Sequence, residues 1–299
     1  MATRTKKIAH PLLACEICAD RVIAARVNDS REFVEIHTSR ALPAGVLAPS
    51  LTGKNINDPD VLSSVLADAL GALNGRLRDV VAVLPDPAVR VVLLDFDALP
   101  DSHEEAVSIL RFRLRKSLPF DVEKTVISYH AYPSPEGLKV VAAVALASVL
   151  EEYESAFARA GYAPGVVTPS SLAALGVVDA ARPTLVIKTS DCMTTLAIVD
   201  ALTLRLFRNL DHAVSGAMEP GRLVEEIHPS MVFFQDNFGS EVERVLVGGN
   251  ISVSEIAPAL QANLTIPIEE LVPARFIGGG LSGGVPAASL AAVAGALLA

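Results

Sequence analysis

The sequence has no tryptophan, and only 5% of its residues are aromatic. Hydrophobic residues still make up 51% of its 299 residues, so its cores must be built from alanine, valine and leucine. Three cysteines are too few for the disulfide framework of a small secreted protein. A net charge of −9 excludes a general nucleic-acid binder. No apolar signal segment follows the first residues, so we predict a cytoplasmic protein with enough length for two domains.

Long uncharged runs are also scarce, but one lies near the end of the sequence. Residues 276–299 carry no charge, although glycines and a proline interrupt the first half of this stretch. Roughly 13 residues remain for a helix, whereas a membrane span needs about 20. The pattern therefore predicts a buried helix over 286–299 and no membrane span.

The clearest local signals lie within residues 99–133. Ser102 can cap a helix whose first turn holds Glu104 and Glu105, where the helix dipole favours acids. Pro119 stops this helix because its ring excludes the helical conformation from the preceding residue. The apolar stripe of the helix consists of Val107, Leu110, Leu114 and Leu118. Strands at 89–96, 125–132 and 138–147 and a second helix at 150–160 complete a β-α-β-β-α unit.

Outside this unit, a pattern of three strands, helix, strand and helix occurs twice. In the first half the strands are 11–17, 22–27, 33–40 and 80–84, and Asp58 or Asp60 caps the first helix. In the second half the strands are 184–189, 194–199, 203–210 and 244–247, with helices at 223–238 and after Ser252 or Ser254. A duplicated unit of this kind around a cleft is typical of the actin and sugar-kinase fold.

The unit at 99–133 also resembles a known family. An acidic helix start after Leu-Pro, a helix ending in Leu118-Pro119-Phe120 and a following Ser-Tyr strand are similar to the extra subdomain of PilM proteins. These are actin-like cytoplasmic members of type IV pilus assembly, related in fold to the division protein FtsA. The resemblance extends more weakly over most of the chain and is specific again at Val-Leu-Val-Gly-Gly, residues 245–249.

The resemblance implies an α/β protein with a duplicated actin-like (ribonuclease H-like) two-domain fold. The first actin-like subdomain covers 7–85 and is completed by 166–182 and 285–299, while 86–165 form the inserted β-α-β-β-α subdomain. The second actin-like subdomain covers 183–284. Its own insertion is reduced, because the residues between Leu210 and Leu223 leave room for little more than a loop.

The family's nucleotide motifs are altered in this sequence. The resemblance places Asp and Gly in the turn after the first strand of each half, where they serve a metal and the phosphates. Here both turns, 15–20 and 188–192, lack glycine, and Lys188 stands where an acid is expected. Only Gly248-Gly249 keeps the form of the adenosine-side loop. We predict a degenerate nucleotide cleft containing Glu16, Lys188, Ser190, Asp191, Gly248 and Gly249, with no cofactor and no metal; ATP with Mg²⁺ is the alternative.

Glu16 and Lys188 occupy corresponding positions in the two halves, and in this fold those positions face each other. We predict that the two side chains meet directly or through water and hold the cleft closed. The alternative is that both point to solvent.

The predicted function is that of an adaptor, and an enzymatic activity is not expected. The resemblance implies a groove beside the inserted subdomain, for which Leu118, Pro119, Phe120 and Tyr129 are the candidates. It would receive the N-terminal cytoplasmic tail of a PilN-like bitopic membrane protein, which would recruit the chain to the inner-membrane face. Self-association into a ring is a further expectation. The alternatives are an active actin-like ATPase that uses Gly248, Gly249 and Asp191, or a GspL-like component of type II secretion.

Two weaker signals remain open. Cys15 and Cys18 form a CxxC pattern that could join Cys192 in a zinc site, but two residues three apart on a strand face opposite sides, which favours free thiols. The basic run at 111–116 is either a solvated helix end or a surface for an acidic partner or anionic lipid.

Overall fold

The computed structural model describes residues 10–73, 75–134, 137–179, 181–212, 220–278 and 285–299. The strands are β1 (Leu13–Ile17), β2 (Arg21–Val27), β3 (Val34–Ala41), β4 (Asp79–Leu84), β5 (Arg90–Phe96), β6 (Thr125–Ser134), β7 (Gly137–Leu146), β8 (Ala163–Pro169), β9 (Thr184–Thr189), β10 (Met193–Asp200), β11 (Thr203–Asp211), β12 (Arg244–Gly249) and β13 (Ile268–Glu270). The helices are α1 (Pro59–Gly71), α2 (His103–Leu114), α3 (Ala147–Arg159), α4 (Ser170–Ala174), α5 (Pro220–Phe238), α6 (Val253–Gln261) and α7 (Ala291–Leu298).

Two five-stranded sheets share one strand order. The first half of the chain forms β3-β2-β1-β4-β8, and the second half forms β11-β10-β9-β12-β13. In each sheet the first three strands are antiparallel, and the last two run parallel to the first strand of the half. The predicted duplication is therefore confirmed. Strands β8 and β13 were not predicted from the sequence. Strand β13 has only three residues, two of them glutamates, and so shows neither an apolar run nor an alternation.

The inserted unit forms a third sheet of order β5-β7-β6, with α2 packed on one of its faces. Ser102 caps α2 as predicted, since its side chain accepts a hydrogen bond from the Glu105 amide. The helix ends at Leu114 and not at Pro119. The physical reason is a turn in which both the amide and the hydroxyl of Ser117 donate to the Leu114 carbonyl. Leu118 therefore lies in a loop and not on the helix.

Helices cover the outer faces of the two large sheets. Asp58, and not Asp60, caps α1, and its carboxylate accepts from the Val61 amide. In the second half a capping box of Ser252 and Glu255 begins α6. The connection from β11 to α5 is too short for a subdomain, as predicted from the sequence, and residues 213–219 within it lie outside the described residues.

The central core lies between the two sheets and is filled by α7. This helix is buried over nearly its whole length, as expected for a helix that is apolar on all sides. It crosses α4 so closely that a Cβ atom on Gly295 would overlap the Ala173 carbonyl oxygen. The buried terminal helix predicted over 286–299 is thus confirmed. None of the helices in the described ranges is long and apolar enough to cross a membrane.

Candidate functional site

A group of buried polar side chains lies at the carboxyl ends of parallel strands. Such edges are where side chains from separate strands of an α/β sheet converge. We call this group the ion cluster; none of its members is more than 5% exposed, and it consists of Glu16 from β1, Asp86 from the turn after β4, Ser170 and Ser171 from the start of α4, and Lys188 from β9.

Lys188 connects the two halves of the chain through this cluster. Its Nζ lies 3.3 Å from Asp86 Oδ2 and 3.7 Å from Glu16 Oε1. The ammonium also donates to Ser170 Oγ at 2.5 Å, and that hydroxyl donates to Glu16. Asp86 Oδ1 accepts from the amide and the hydroxyl of Ser171 at 2.8 and 2.7 Å. The predicted direct approach of Glu16 and Lys188 is therefore observed.

The charges of the cluster keep Lys188 protonated. Burial alone would lower its pKa, but the neighbouring carboxylates of Asp86 and Glu16 raise the pKa above the ordinary lysine value. Ser170 and Lys188 have the atoms of a serine–lysine dyad, yet a protonated amine cannot accept the serine proton. The arrangement is a buried network of ion pairs and hydrogen bonds, in which Lys188 is not a catalytic base.

Asp86, Ser170 and Ser171 were not predicted as site residues. The available signal was Pro85-Asp86-Pro87, an acid between two prolines at the end of a buried strand. Helix α4 begins directly after β8, the parallel strand beside β4, and this topology brings its two serines to the same edge.

The other predicted cleft residues lie around the cluster with different roles. Ser190 closes the β9–β10 turn, since its hydroxyl donates to the Met193 carbonyl at 2.9 Å. Asp191 lies at the rim, where it accepts from the Asn250 side chain at 2.5 Å. Burial and the nearby Asp20 raise the pKa of Asp191, partly offset by Arg21. Asp191 is therefore not a member of the ion cluster.

The backbone at position 249 requires a glycine. Its φ of +102° is unfavourable for other residues, and a Cβ there would overlap the Thr189 carbonyl oxygen. The hydroxyl of Thr189 accepts from the amides of Asn250 and Ile251 at 3.0 and 3.1 Å. The amides after the Gly-Gly pair are thus bonded within the protein. Gly248 faces Leu271 and Ala291 and does not line the cleft.

The cleft around these residues is narrow. Five of the six predicted residues line it: Glu16, Lys188, Ser190, Asp191 and Gly249. The free space is about 30 Å³, which is enough for roughly two water molecules.

A second cavity, of about 170 Å³, lies between the first sheet and the inserted subdomain. We call it the groove; its lining consists of Val89, Val126, Ser128, Ala143, Ala145, Leu150, Glu154, Val167, Thr168 and Pro169. On one side lies β8, the edge strand of the first sheet, and on the other lies β6, the edge strand of the third sheet. Val126 is 48% exposed, which is high for a valine on a strand.

The predicted groove residues lie elsewhere on the subdomain. Leu118 and Tyr129 pack against its core, Pro119 is exposed and Phe120 is half-buried. Tyr129 stacks on His103 with ring centroids 5.3 Å apart. Because side chains alternate along β6, Tyr129 points to the α2 face while Val126 and Ser128 point to the groove. None of the four candidates lines the groove.

The cysteines and the basic run at 111–116 are the two signals that the sequence left open. All three cysteines are free thiols whose pKa values are raised, in each case chiefly by burial. Across the described ranges, no group of three or more His, Cys, Asp or Glu side chains could hold a metal ion. In the basic run, Arg111 donates to the Thr125 carbonyl and Arg115 pairs with Glu123 at 3.4 Å.

Two sheets of identical strand order, separated by a cleft and carrying an inserted subdomain, define a protein of the actin-like fold. Among solved structures, the chain is similar to one in the PilM-PilN type IV pilus biogenesis complex, with a TM-score of 0.79 and 19% identity over 96% of this chain and 98% of that chain. At this identity the likeness shows the fold, and the fold is PilM-like.

More distant structures agree on the fold. The ethanolamine utilization protein EutJ from Carboxydothermus hydrogenoformans has a TM-score of 0.55 at 9% identity, covering 96% of this chain and 88% of its own. The cytoplasmic domain of EpsL, an inner-membrane component of the type II secretion system of Vibrio cholerae, has a TM-score of 0.50 at 11% identity, covering 78% and 80%. No protein-family model and no curated protein sequence matches the chain.

Proposed function

We propose that this chain is a PilM-like adaptor of a type IV pilus assembly machine. In this role it binds the N-terminal cytoplasmic tail of a PilN-like inner-membrane protein and is recruited to the membrane by it. The groove between β8 and β6 carries the proposal. Its support is the likeness to the PilM-PilN complex, which covers 96% of this chain and therefore includes the inserted subdomain.

The groove has the properties of a peptide site. Its walls are mostly apolar, and a cavity of about this size holds a group as large as benzene. As an edge strand, β8 presents backbone amides and carbonyls to an added extended segment, so a tail can gain main-chain hydrogen bonds while it buries alternate side chains. Glu154 at the rim favours a tail with a basic residue at that point.

We also propose that the cleft does not bind ATP in the ordinary way. The ammonium of Lys188 lies between Asp86 and Glu16, where it would repel the divalent metal that ATP requires. The amides beyond Gly249 are bonded to Thr189, and the free space of about 30 Å³ is far too small for a nucleotide.

The adaptor function is tested by calorimetry with a synthetic peptide of the tail. The peptide is chosen among the proteins encoded beside this chain by two criteria, one membrane span and a short cytoplasmic tail. We expect the chain to bind it, and Val126→Asp to weaken binding at least tenfold because a charge would be buried in an apolar wall. The matched control is Val232→Asp, since this valine is 39% exposed on α5, outside the groove. Absence of binding to the unmodified chain would refute the adaptor function.

The state of the cleft is tested by titration with Mg-ATP. We expect no binding up to about 1 mM, the upper end of usual substrate affinities. Micromolar binding by the unmodified chain would support the alternative of an active ATPase.

A second candidate is a GspL-like component of type II secretion, favoured by the likeness to the EpsL cytoplasmic domain. The same calorimetry separates the two, because a secretion component would bind the tail of a secretion protein and not that of a pilus protein.

A further inference from the structure

The groove and the ion cluster share two short segments of chain. Residues 86–89 begin with Asp86 in the cluster and end with Val89 in the groove wall. Residues 167–171 run from the groove residues Val167, Thr168 and Pro169 to the cluster residues Ser170 and Ser171. No spacer residue separates the two sites along the second segment.

Both segments are stiff between the two sites. Residues 86–88 form a single 3-10 turn, closed by a hydrogen bond of 3.1 Å from the Val89 amide to the Asp86 carbonyl. In the other segment, the ring of Pro169 restricts the backbone just before Ser170. The segments are also joined to each other, because both the amide and the hydroxyl of Ser171 donate to Asp86. We therefore expect a displacement at the cluster to reach the groove.

Lys188 is the cluster member that comes from the second half of the chain, and it does not line the groove. We propose that Lys188 is a positioning residue for the groove: by joining Glu16, Asp86 and Ser170 it holds β8 and the turn after β4 in the geometry that receives the tail, so that cleft closure and tail binding are coupled. This inference rests on the proposed function. Linkage makes the coupling reciprocal, so a bound tail would favour the closed cleft.

Loss of the lysine would have two separable effects, one on the stability of the chain and one on the position of α4. Without the ammonium, the carboxylates of Glu16 and Asp86 are left buried with no cation from the second half, which lowers stability. Independently, Ser170 loses the donor that ties α4 to β9. A charge-matched variant, Lys188→Met with Glu16→Gln, has the same net charge in the cluster as the unmodified chain. It still lacks the hydrogen bond from Lys188 to Ser170. The two effects can therefore be measured apart.

The test combines amide hydrogen exchange and tail-peptide calorimetry on the full chain. Four proteins are compared: unmodified, Lys188→Met, the charge-matched double variant, and the exposed control Lys54→Met. We expect amides in 166–171 to exchange about tenfold faster in both Lys188 variants, while amides of α1, which are faster in Lys188→Met, return part of the way to the unmodified rate in the double variant. The tail peptide should bind both Lys188 variants about tenfold more weakly, and Lys54→Met normally.

Each outcome has a distinct meaning. Unchanged exchange in 166–171 overturns the coupling. The coupling is also overturned if the double variant exchanges in 166–171 and binds the peptide like the unmodified chain, because the changes in Lys188→Met would then follow stability alone. If the unmodified chain fails to bind the peptide, the adaptor function is refuted, and the exchange experiment still decides whether Lys188 positions β8. Faster exchange with weaker peptide binding in the double variant supports both proposals.

Discussion

Replacing Lys188 by methionine is expected to lower the free energy of unfolding by about 3–5 kcal/mol, the usual effect of removing one partner of a buried ion pair. The lysine is 5% exposed and faces two carboxylates that are equally inaccessible to water. Methionine fills a similar volume, so the loss reports charge and hydrogen bonding more than packing. Urea unfolding followed by circular dichroism measures it.

The control for this prediction is Lys54→Met, because the Lys54 side chain is exposed and such substitutions usually change stability by less than about 0.5 kcal/mol. The double variant with Glu16→Gln should recover part of the loss, since it removes one of the two unpaired carboxylates. A Lys188→Met protein as stable as the unmodified chain would show that the ion pairs of Lys188 contribute no net stability.

Gly295→Val is expected to destabilise the chain by about 3 kcal/mol, at the upper end of the range for overpacking. A Cβ at this position would overlap the carbonyl oxygen of Ala173 and approach the Cα of Ala174 at 3.1 Å. Both are backbone atoms, so no side-chain rotation can relieve the overlap. Helix α7 would have to move away from α4 and open the central core.

The same urea experiment with Gly71→Ala serves as the comparison. Gly71 ends α1, and a Cβ there has no neighbour within 4 Å, so alanine should be neutral or slightly stabilising because of its helix propensity. Equal stability of Gly295→Val and the unmodified chain would mean that α4 and α7 can separate without loss, contrary to their close crossing.

Much of the fold could be predicted because its signals are local. Continuous apolar runs identify β4 and β12, and short runs separated by turn residues identify β1 to β3. The repetition of this pattern in the second half then predicts two equivalent sheets. The boundary of α2 was misplaced because Leu118 fits the helical period, while the hydrogen bonds of Ser117 that end the helix depend on the folded backbone.

The sites were harder to predict because they depend on contacts between distant segments. Glu16 and Lys188 could be paired through the repeat, but Asp86 and Ser170 have no counterpart in a local pattern. For the groove, β7 is apolar on both faces, and the sequence does not show which face packs on α2. The choice between Tyr129 and Val126 as groove residues is therefore open until the three sheets are arranged in space.

The position of α7 has a consequence for biosynthesis. Residues 291–298 contact β1, β2 and β4, strands that leave the ribosome more than 200 residues earlier. Until α7 has been made, one face of the first sheet has no permanent cover and presents apolar side chains such as Ala14, Ile23 and Val81. Domains usually fold in the order of their synthesis. Here the first sheet is completed by a helix that is made more than 200 residues later, so the nascent chain must keep this face from aggregating until then.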